Sequence, residues 1–231
     1  MPLHYDLHIH SCLSPCADED MTPQNICAMA RLKGLQMIAV ADHQSAGNLP
    51  ALDACARQEG LLLMPALEVC TREEVHLLAY FGDVEAALVM GAWCRELLPG
   101  ILNRPDFFGR QVYRDAEDNE LGEEPLLLLM ALDAGLTEVV RKVRALGGVP
   151  VPAHINRGSN GLLTALGFIP EEDGFTALET DRRLPLMADV SAYRVLHSSD
   201  AHNLGDIAEQ GQVLPAEDVI GTLRWLGGQN G

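Results

Sequence analysis

Asp6-Leu7-His8-Ile9-His10 is an apolar strand that ends on two histidines. Alternate side chains of an extended strand share a face. Leu3, Tyr5, Leu7 and Ile9 are therefore expected on one side, and His8 and His10 together on the other. Two imidazoles on one face at a strand end form a bidentate metal site at little conformational cost.

The rest of the chain repeats this apolar strand at intervals. Residues 35–41, 61–67, 75–81, 149–153, 177–180 and 194–198 read as further strands, apolar along their length and so covered on both faces. Helical stretches alternate with them. One follows the cap pair Thr22-Pro23 and stops at Gly34. Others span 50–59, 84–98, 126–131, 137–146, 162–166 and 218–226. This alternation predicts an α/β fold with a parallel sheet, and about seven strands buried on both faces predict a closed or nearly closed barrel. Residues 99–125 break the rhythm. They are polar, hold six acids between Asp115 and Glu124, and read as an insertion with a hairpin in one domain spanning 1–231.

The 231 residues are 48% hydrophobic, with a mean hydropathy of +0.05, as expected of a soluble globular chain. No apolar run reaches the ~18 residues of a membrane span, and no basic-then-apolar leader opens the sequence. Cys12, Cys16, Cys27, Cys55, Cys70 and Cys94 include no Cys-x-x-Cys pair, which predicts reduced thiols and a cytoplasmic protein. The net charge of −17 weighs against long nucleic acid as a partner, yet it admits a small anionic substrate, because bound divalent ions reverse the sign inside a pocket.

The metal-capable residues fall at strand ends. His8 and His10 close the first strand, Asp42-His43 the second and Glu68 the third. His154 closes the fifth, Asp200 and His202 follow the last, and His76 instead opens the 75–81 strand. Parallel α/β barrels gather their reactive groups at the C-terminal strand ends. Six of the eight histidines belong to this set, which points to a metal cluster rather than to scattered core histidines. His4 and His197 are expected to be structural.

Asp6-Leu7-His8-Ile9-His10-Ser11, Ala41-Asp42-His43, Glu68, His154 and Ser199-Asp200-Ala201-His202 resemble, in order and spacing, the motifs of the PHP (polymerase and histidinol phosphatase) superfamily. The nearer likeness is to stand-alone bacterial metal-dependent phosphoesterases with a Ser14-Pro15-Cys16-Ala17 loop. The resemblance implies a distorted (β/α)7 TIM-like barrel, phosphoester hydrolysis, and two or three divalent metal ions. By it, His8, His10, Glu68 and Asp200 hold one ion. Glu68 bridges to a second held by His76 and His154, and His43 and His202 hold a third. Imidazoles and carboxylates suit Zn, Mn or Fe.

The family places an Asp in a loop after the second histidine. Counted from the strand, Cys16 falls near that position. Counted back from the Thr22-Pro23 helix start, Asp18 does, and the nearer anchor favours Asp18. Arg157, three residues beyond His154, is the expected clamp for a substrate phosphate, with Arg182-Arg183 a weaker candidate. Divalent ions can supply a hydroxide nucleophile, so no Ser or Cys attack is required. Asp200 is expected to orient the water or pass its proton, and Asp42 to orient a ligand histidine. Two other functions share this scaffold: a non-catalytic metal-binding module, and an amidohydrolase-type C–N hydrolase. The latter usually carries a bridging carboxylated lysine, whereas the lysines here, Lys33 and Lys142, lie away from strand ends. The substrate expected is a small phosphate ester, such as a nucleotide or a sugar or amino-alcohol phosphate.

Overall fold

The computed structural model describes residues 3–229. In chain order the elements are β1 (Leu3–Ile9), α1 (Pro23–Leu32), β2 (Met37–Val40), α2 (Leu49–Glu59), β3 (Leu62–Leu63), β4 (Ala66–Cys70), β5 (His76–Tyr80) and α3 (Val84–Leu97). They continue with α4 (Pro105–Phe108), β6 (Val112–Arg114), β7 (Glu120–Glu123), α5 (Leu136–Ala145), β8 (Val149–Pro152), α6 (Leu162–Leu166), β9 (Ala177–Glu179), β10 (Arg194–Leu196), β11 (Val213–Leu214) and α7 (Val219–Leu226).

Capping chemistry sets several helix starts. Thr22, Asp83 and Asp218 accept backbone N–H bonds from Asn25, Ala86 and Gly221, relieving donors that the first turn cannot satisfy. Residues 126–131, expected as a helix, are irregular. Their backbone is taken by distant partners: Leu126 bridges to Leu102, and the Leu127 N–H bonds the Ile101 carbonyl (2.9 Å). The insertion does contain a hairpin, with β6 antiparallel to β7.

Three features depart from a uniform parallel sheet. The 61–67 stretch is two strands broken before Pro65. β3 pairs in parallel with β2, and β4 leaves that ladder for β5. Secondly, β5 runs antiparallel to both β4 and β8. The 71–75 connection between β4 and β5 makes this necessary, since a parallel pair needs a crossover of roughly a dozen residues or more. Thirdly, the β1–β2 register shifts between Asp6 and Ile9, as at a β-bulge. Leu3, Tyr5 and Leu7 pack in one apolar cluster and Ile9 in the other. The shift therefore breaks the alternation that would have set Leu7 and Ile9 side by side. Within it, the Leu7 carbonyl accepts the buried Tyr80 hydroxyl (2.8 Å).

Among the described residues the strands form four ladders: β11-β1-β2-β3, β4-β5-β8, β9-β10 and β6-β7. No closed barrel is present in these ladders. Backbone hydrogen bonds join three of them at one end. Glu68 N donates to the Asp42 carbonyl (3.0 Å), Ile155 N to the Glu179 carbonyl (3.0 Å), and His10 N to the Ala201 carbonyl (2.9 Å). One apolar cluster gathers Leu7, Ala39, Ala66, Leu78, Val151, Ala177 and Leu196 from the strands. The other packs strands against helices through Ile26, Leu52, Met90 and Val140. No helix among the described residues is long and apolar enough to cross a membrane. All six cysteines are free thiols.

Candidate metal centre

The three joining bonds ring a pocket of about 230 Å³, whose lining includes His10, His43, Glu68, His76, His154, Arg157, Asp200 and His202. His8 lies fully buried beneath it. The reversed direction of β5 explains His76. In antiparallel register His76 faces Cys70, and Leu77 faces Pro152. The first residue of β5 thus lies beside the last residues of β4 and β8, at the same end as the other ligand candidates.

Glu68 is the hub. Its Oε1 lies 2.9 Å from His76 Nδ1, 3.2 Å from His154 Nε2 and 3.4 Å from His8 Nε2. Its Oε2 lies 3.0 Å from His43 Nδ1 and 3.5 Å from His10 Nε2. Asp200 Oδ1 lies 3.0 Å from His10 Nε2 and 3.3 Å from His8 Nε2. Burial alone would raise both carboxyls. The imidazoles around them reverse this and hold Glu68 and Asp200 well below the usual carboxylate range. Burial, with the charge of His43, holds His10 down at about 3, so its ring is neutral and free to ligate.

The buried ring nitrogens His8 Nε2, His76 Nδ1 and His154 Nδ1 have no hydrogen-bond partner. An orphaned buried donor or acceptor costs roughly 1–3 kcal/mol, and two of these three nitrogens stand within 3.4 Å of Glu68 without hydrogen-bond geometry. Three residue groups have ligand atoms mutually within 4.8 Å: His8, His10 and Asp200; His43, Glu68 and His76; and His10, His43 and His202. This donor set fits divalent ions. Among the described residues, six non-glycine residues have positive φ; His154 (27°), Asn160 (56°) and Asp200 (53°) line the pocket, and Gln44 (55°) follows the ligand candidate His43. Backbone strain of that kind collects where surrounding structure holds a functional side chain in place.

A second layer orients the ligands. Asp42 accepts from the Ser11 backbone N–H (2.7 Å), the Ser11 hydroxyl (2.6 Å) and the Ser14 hydroxyl (2.7 Å). Ser14 Oγ in turn stands 3.1 Å from His10 Nδ1, leaving His10 Nε2 directed at Glu68 and Asp200. Asp42 thus reaches a ligand histidine through Ser14. Glu179, which the sequence reading did not single out, is buried, binds His8 Nδ1 (2.9 Å) and accepts the His154 backbone N–H (3.0 Å). A charged residue inside the apolar run Ala177-Leu178-Glu179 was the available signal, because buried Glu is rare without a partner. Glu179→Gln is expected to weaken metal affinity about 10–100-fold, the usual effect of losing such a partner. Metal titration of the stripped variant checks this.

The loop candidates separate. Asp18 is exposed, and its backbone N–H donates to the His202 carbonyl (2.8 Å). Its side chain does not line the pocket, whereas Cys16 does. Cys16 borders solvent and lines the pocket with His43 and His202. Burial raises that thiol, but the two imidazoles outweigh burial and hold its pKa at about 7. Burial pushes Cys12 and Cys55 up to about 11, and Cys27 and Cys70 up to about 12. In metal-free protein a slow alkylating reagent should modify Cys16 first, with a rate rising through pH 7, and bound metal should protect it. Peptide mapping would contradict this if several cysteines were labelled equally.

Arg157 pairs with Asp200 through Nη1 and lies 3.4 Å from Asp181 Oδ2 through both Nε and Nη2. Arg183 is taken by Asp181 (2.7 Å). A neighbouring cavity of about 390 Å³, lined by Arg182, Arg183 and His197, meets the metal pocket at Asp200. His197 Nδ1 binds Thr180 Oγ1 (3.0 Å), and His4 pairs with Val213 at the far end of β1. Lys33 donates to the Gly205 and Ile207 carbonyls, and Lys142 lies over the Trp93 ring. Neither lysine lines the pocket.

No protein-family model matches the chain, and no curated protein matches it at significance. Solved structures do. A lesion-specific endonuclease from Pyrococcus furiosus, endonuclease Q, is 19% identical with a TM-score of 0.67, over all of this chain and 57% of that one. A Bifidobacterium adolescentis protein assigned as a metal-dependent phosphoesterase is 21% identical with a TM-score of 0.63, over 96% of this chain and 95% of that one. A two-domain Bacteroides vulgatus protein containing a PHP-like phosphoesterase is 15% identical with a TM-score of 0.58, over 99% and 63%. The chain therefore has the α/β fold of PHP-like metal-dependent phosphoesterases, and it spans little more than half of the endonuclease.

One expectation falls. Net charge was read as weighing against long nucleic acid, yet endonuclease Q, which shares this fold, is known in complex with a 27-mer duplex carrying an abasic lesion at its active site. Net charge sums over a whole surface and does not fix the potential at a pocket. The acidic 115–124 stretch is also partly paired locally: Glu120 and Glu123 pair with Arg110, and Glu124 with Arg95.

Proposed function

We propose that this chain is a metal-dependent phosphoric ester hydrolase. The observation that carries the reading is Glu68, a buried carboxylate facing imidazoles of five histidines from both oxygens. In this reading His8, His10, Glu68 and Asp200 hold one ion and Glu68, His76 and His154 a second, with His43 and His202 at a third. Zn, Mn and Fe are the ions proposed. The strands are read as a distorted (β/α)7 TIM-like barrel in a single 1–231 domain with an insertion at 99–125, and the location as cytoplasmic. The inter-ladder bonds at the pocket support the barrel.

When bound, such ions supply a hydroxide nucleophile at neutral pH and neutralise charge on the phosphoryl oxygens. The chain's own residues position the rest. Asp200 accepts a proton or hydrogen bond from the water, with its other oxygen tied to Arg157. Arg157, steadied by Asp181, turns its remaining N–H donors to a phosphate. The ester can be a nucleotide, a sugar or amino-alcohol phosphate, or a phosphodiester of DNA.

Charge-assisted hydrogen bonds contribute about 1.5–3 kcal/mol, so Arg157→Ala is expected to lower kcat/KM roughly 10–100-fold, with Arg157→Lys recovering part of it. A panel of phosphate monoesters and abasic-site duplex DNA tests the function. Full activity of Arg157→Ala on the best substrate would remove the clamp. Metal-loaded protein inert on the whole panel would overturn the hydrolase reading.

A further inference from the structure

The cavity of about 390 Å³ beside the metal pocket shares Asp200 with it. Its volume lies in the range of roughly 300–1,000 Å³ that encloses small ligands. Both of its walls hang on one buried carboxylate. Asp6 accepts the Ser199 backbone N–H (3.0 Å) and hydroxyl (2.6 Å) from one wall and the Ala208 N–H (2.8 Å) from the other. An ester with its phosphoryl group at the metals has this fixed space next to it for the alcohol part.

The polar groups of the 197–200 stretch divide into engaged and unengaged. Asp200 is held by His10 and Arg157, and the Ser199 hydroxyl by Asp6. His197 Nδ1 stands 3.2 Å from the Thr180 carbonyl, which can only accept, so Nδ1 carries a proton. Burial holds this ring below its usual pKa, so it is neutral and its Nε2 is a bare acceptor. The Ser198 hydroxyl oxygen is buried and has no hydrogen-bond partner. Buried polar groups in native structures are nearly always paired, so such an exception calls for a missing partner. His197 and Ser198 both line the cavity. The charges around it do not suit a second anion. Asp181, Asp206 and Glu209 line it against Arg182 and Arg183, and Arg183 is already taken by Asp181 (2.7 Å). Negative charge is therefore in surplus even with Asp200 assigned to the metals.

We propose that this cavity is the subsite for the alcohol part of the ester, that it takes a neutral, hydroxyl-bearing sugar, and that Ser198 Oγ and His197 Nε2 recognise its hydroxyls. This rests on the hydrolase reading above and narrows it. A sugar hydroxyl both donates and accepts. It can therefore give its proton to His197 Nε2 and either accept from or donate to Ser198. A second phosphate only accepts and meets the surplus of carboxylates. An ammonium only donates and leaves the Ser198 proton unused. The substrates that fit are a free sugar phosphate and a nucleoside monophosphate, in preference to a bisphosphate or an amino-alcohol phosphate.

Two measurements on the metal-loaded whole chain test this. The first is binding of phosphate-free ribose and adenosine by saturation-transfer NMR, which needs no turnover. Both should bind the wild type, and Ser198→Ala should weaken both about 3–10-fold, the worth of one uncharged hydrogen bond. Because that hydroxyl bonds nothing in the fold, Ser198→Ala should keep the wild-type Tm. Binding of adenosine without ribose would place recognition on the base and overturn the sugar assignment. The second is kcat/KM on ribose phosphate, adenosine monophosphate, ribose bisphosphate, an amino-alcohol phosphate and nitrophenyl phosphate. The sugar monoesters should lead, and Ser198→Ala should lower their advantage over nitrophenyl phosphate about 3–10-fold, chiefly through KM. A lead for the bisphosphate or the amino-alcohol ester, or an equal loss on sugar and nitrophenyl esters, would overturn the subsite. Hydrolysis of nitrophenyl phosphate without sugar binding would remove the subsite and keep the hydrolase. Sugar binding that Ser198→Ala weakens, with no phosphoester hydrolysed, would keep the cavity as a sugar site and remove the hydrolase reading.

Discussion

Glu68→Gln is expected to lower phosphoester turnover about 10³-fold or more, beyond the roughly 10–100-fold that a residue behind a ligand is worth. The substitution keeps shape and volume, so the buried site stays filled. What it removes is the one negative charge that both halves of the cluster share. Oε1 faces His76, His154 and His8, and Oε2 faces His43 and His10. A neutral amide offers one oxygen and turns N–H donors toward imidazoles on its other side. Metal content should drop together with activity, so elemental analysis beside kcat/KM distinguishes lost ligation from lost chemistry. A Glu68→Gln protein with full metal and near-normal turnover would exclude Glu68 as a bridge.

Metal removal should destabilise the chain more than most point substitutions. An ion present at about 1,000 times its dissociation constant, and bound only by the folded state, adds about 4 kcal/mol. For a chain of this length that corresponds to roughly 8–16 °C in Tm per tightly held ion. The gap between loaded and stripped protein should widen as pH rises. Burial lowers His8 and His43, but neighbouring anionic groups outweigh it and hold both well above the usual 6.5, the Glu179 carboxylate foremost for His8 and the Cys16 thiol for His43. A raised folded pKa contributes stability that is complete below 6.5 and is lost as pH rises through the folded value. These two histidines therefore weaken the stripped protein as pH rises above 6.5, offset in part by Cys16, whose lowered pKa acts in the opposite sense. Metal binding displaces those same protons and strengthens over the same range. Thermal melts with and without chelator at several pH values check both sign and size. A Tm indifferent to chelator would contradict the account.

Much of the centre could be read from the chain because ligation demands particular residues at particular places. His8, His10, His43, Glu68, His154, Asp200 and His202 stand out at the ends of apolar strands, and the structure brings them together. What escaped depends on chain direction and tertiary contact. His76 is among the expected ligands although it opens its strand; the antiparallel course of β5, dictated by a short 71–75 connection, is what carries it to the site. The bulge in β1 leaves no mark in a run of apolar residues, yet it separates Leu7 from Ile9. Cys16 and Asp18 are two residues apart. The choice between them turns on a loop whose register is set by Ser14–Asp42, Gly109–Pro15 and Asp18–His202 contacts, none of them local in sequence. Glu179 belongs to no motif, and its role follows from the His8 ring that it faces across the fold.

Net charge misled for a related reason. It is a whole-molecule quantity, whereas a phosphoester meets a pocket ringed by imidazoles and Arg157. The abasic duplex therefore belongs in the assay panel beside the small monoesters.

The most direct test is to purify the chain without chelator, count bound metal, and assay that panel on the wild type and on His10→Ala. The account predicts two or three equivalents of divalent metal and turnover on at least one phosphoester, with His10→Ala losing metal and activity together. Protein that binds no divalent ion even after reconstitution would contradict the metal centre itself.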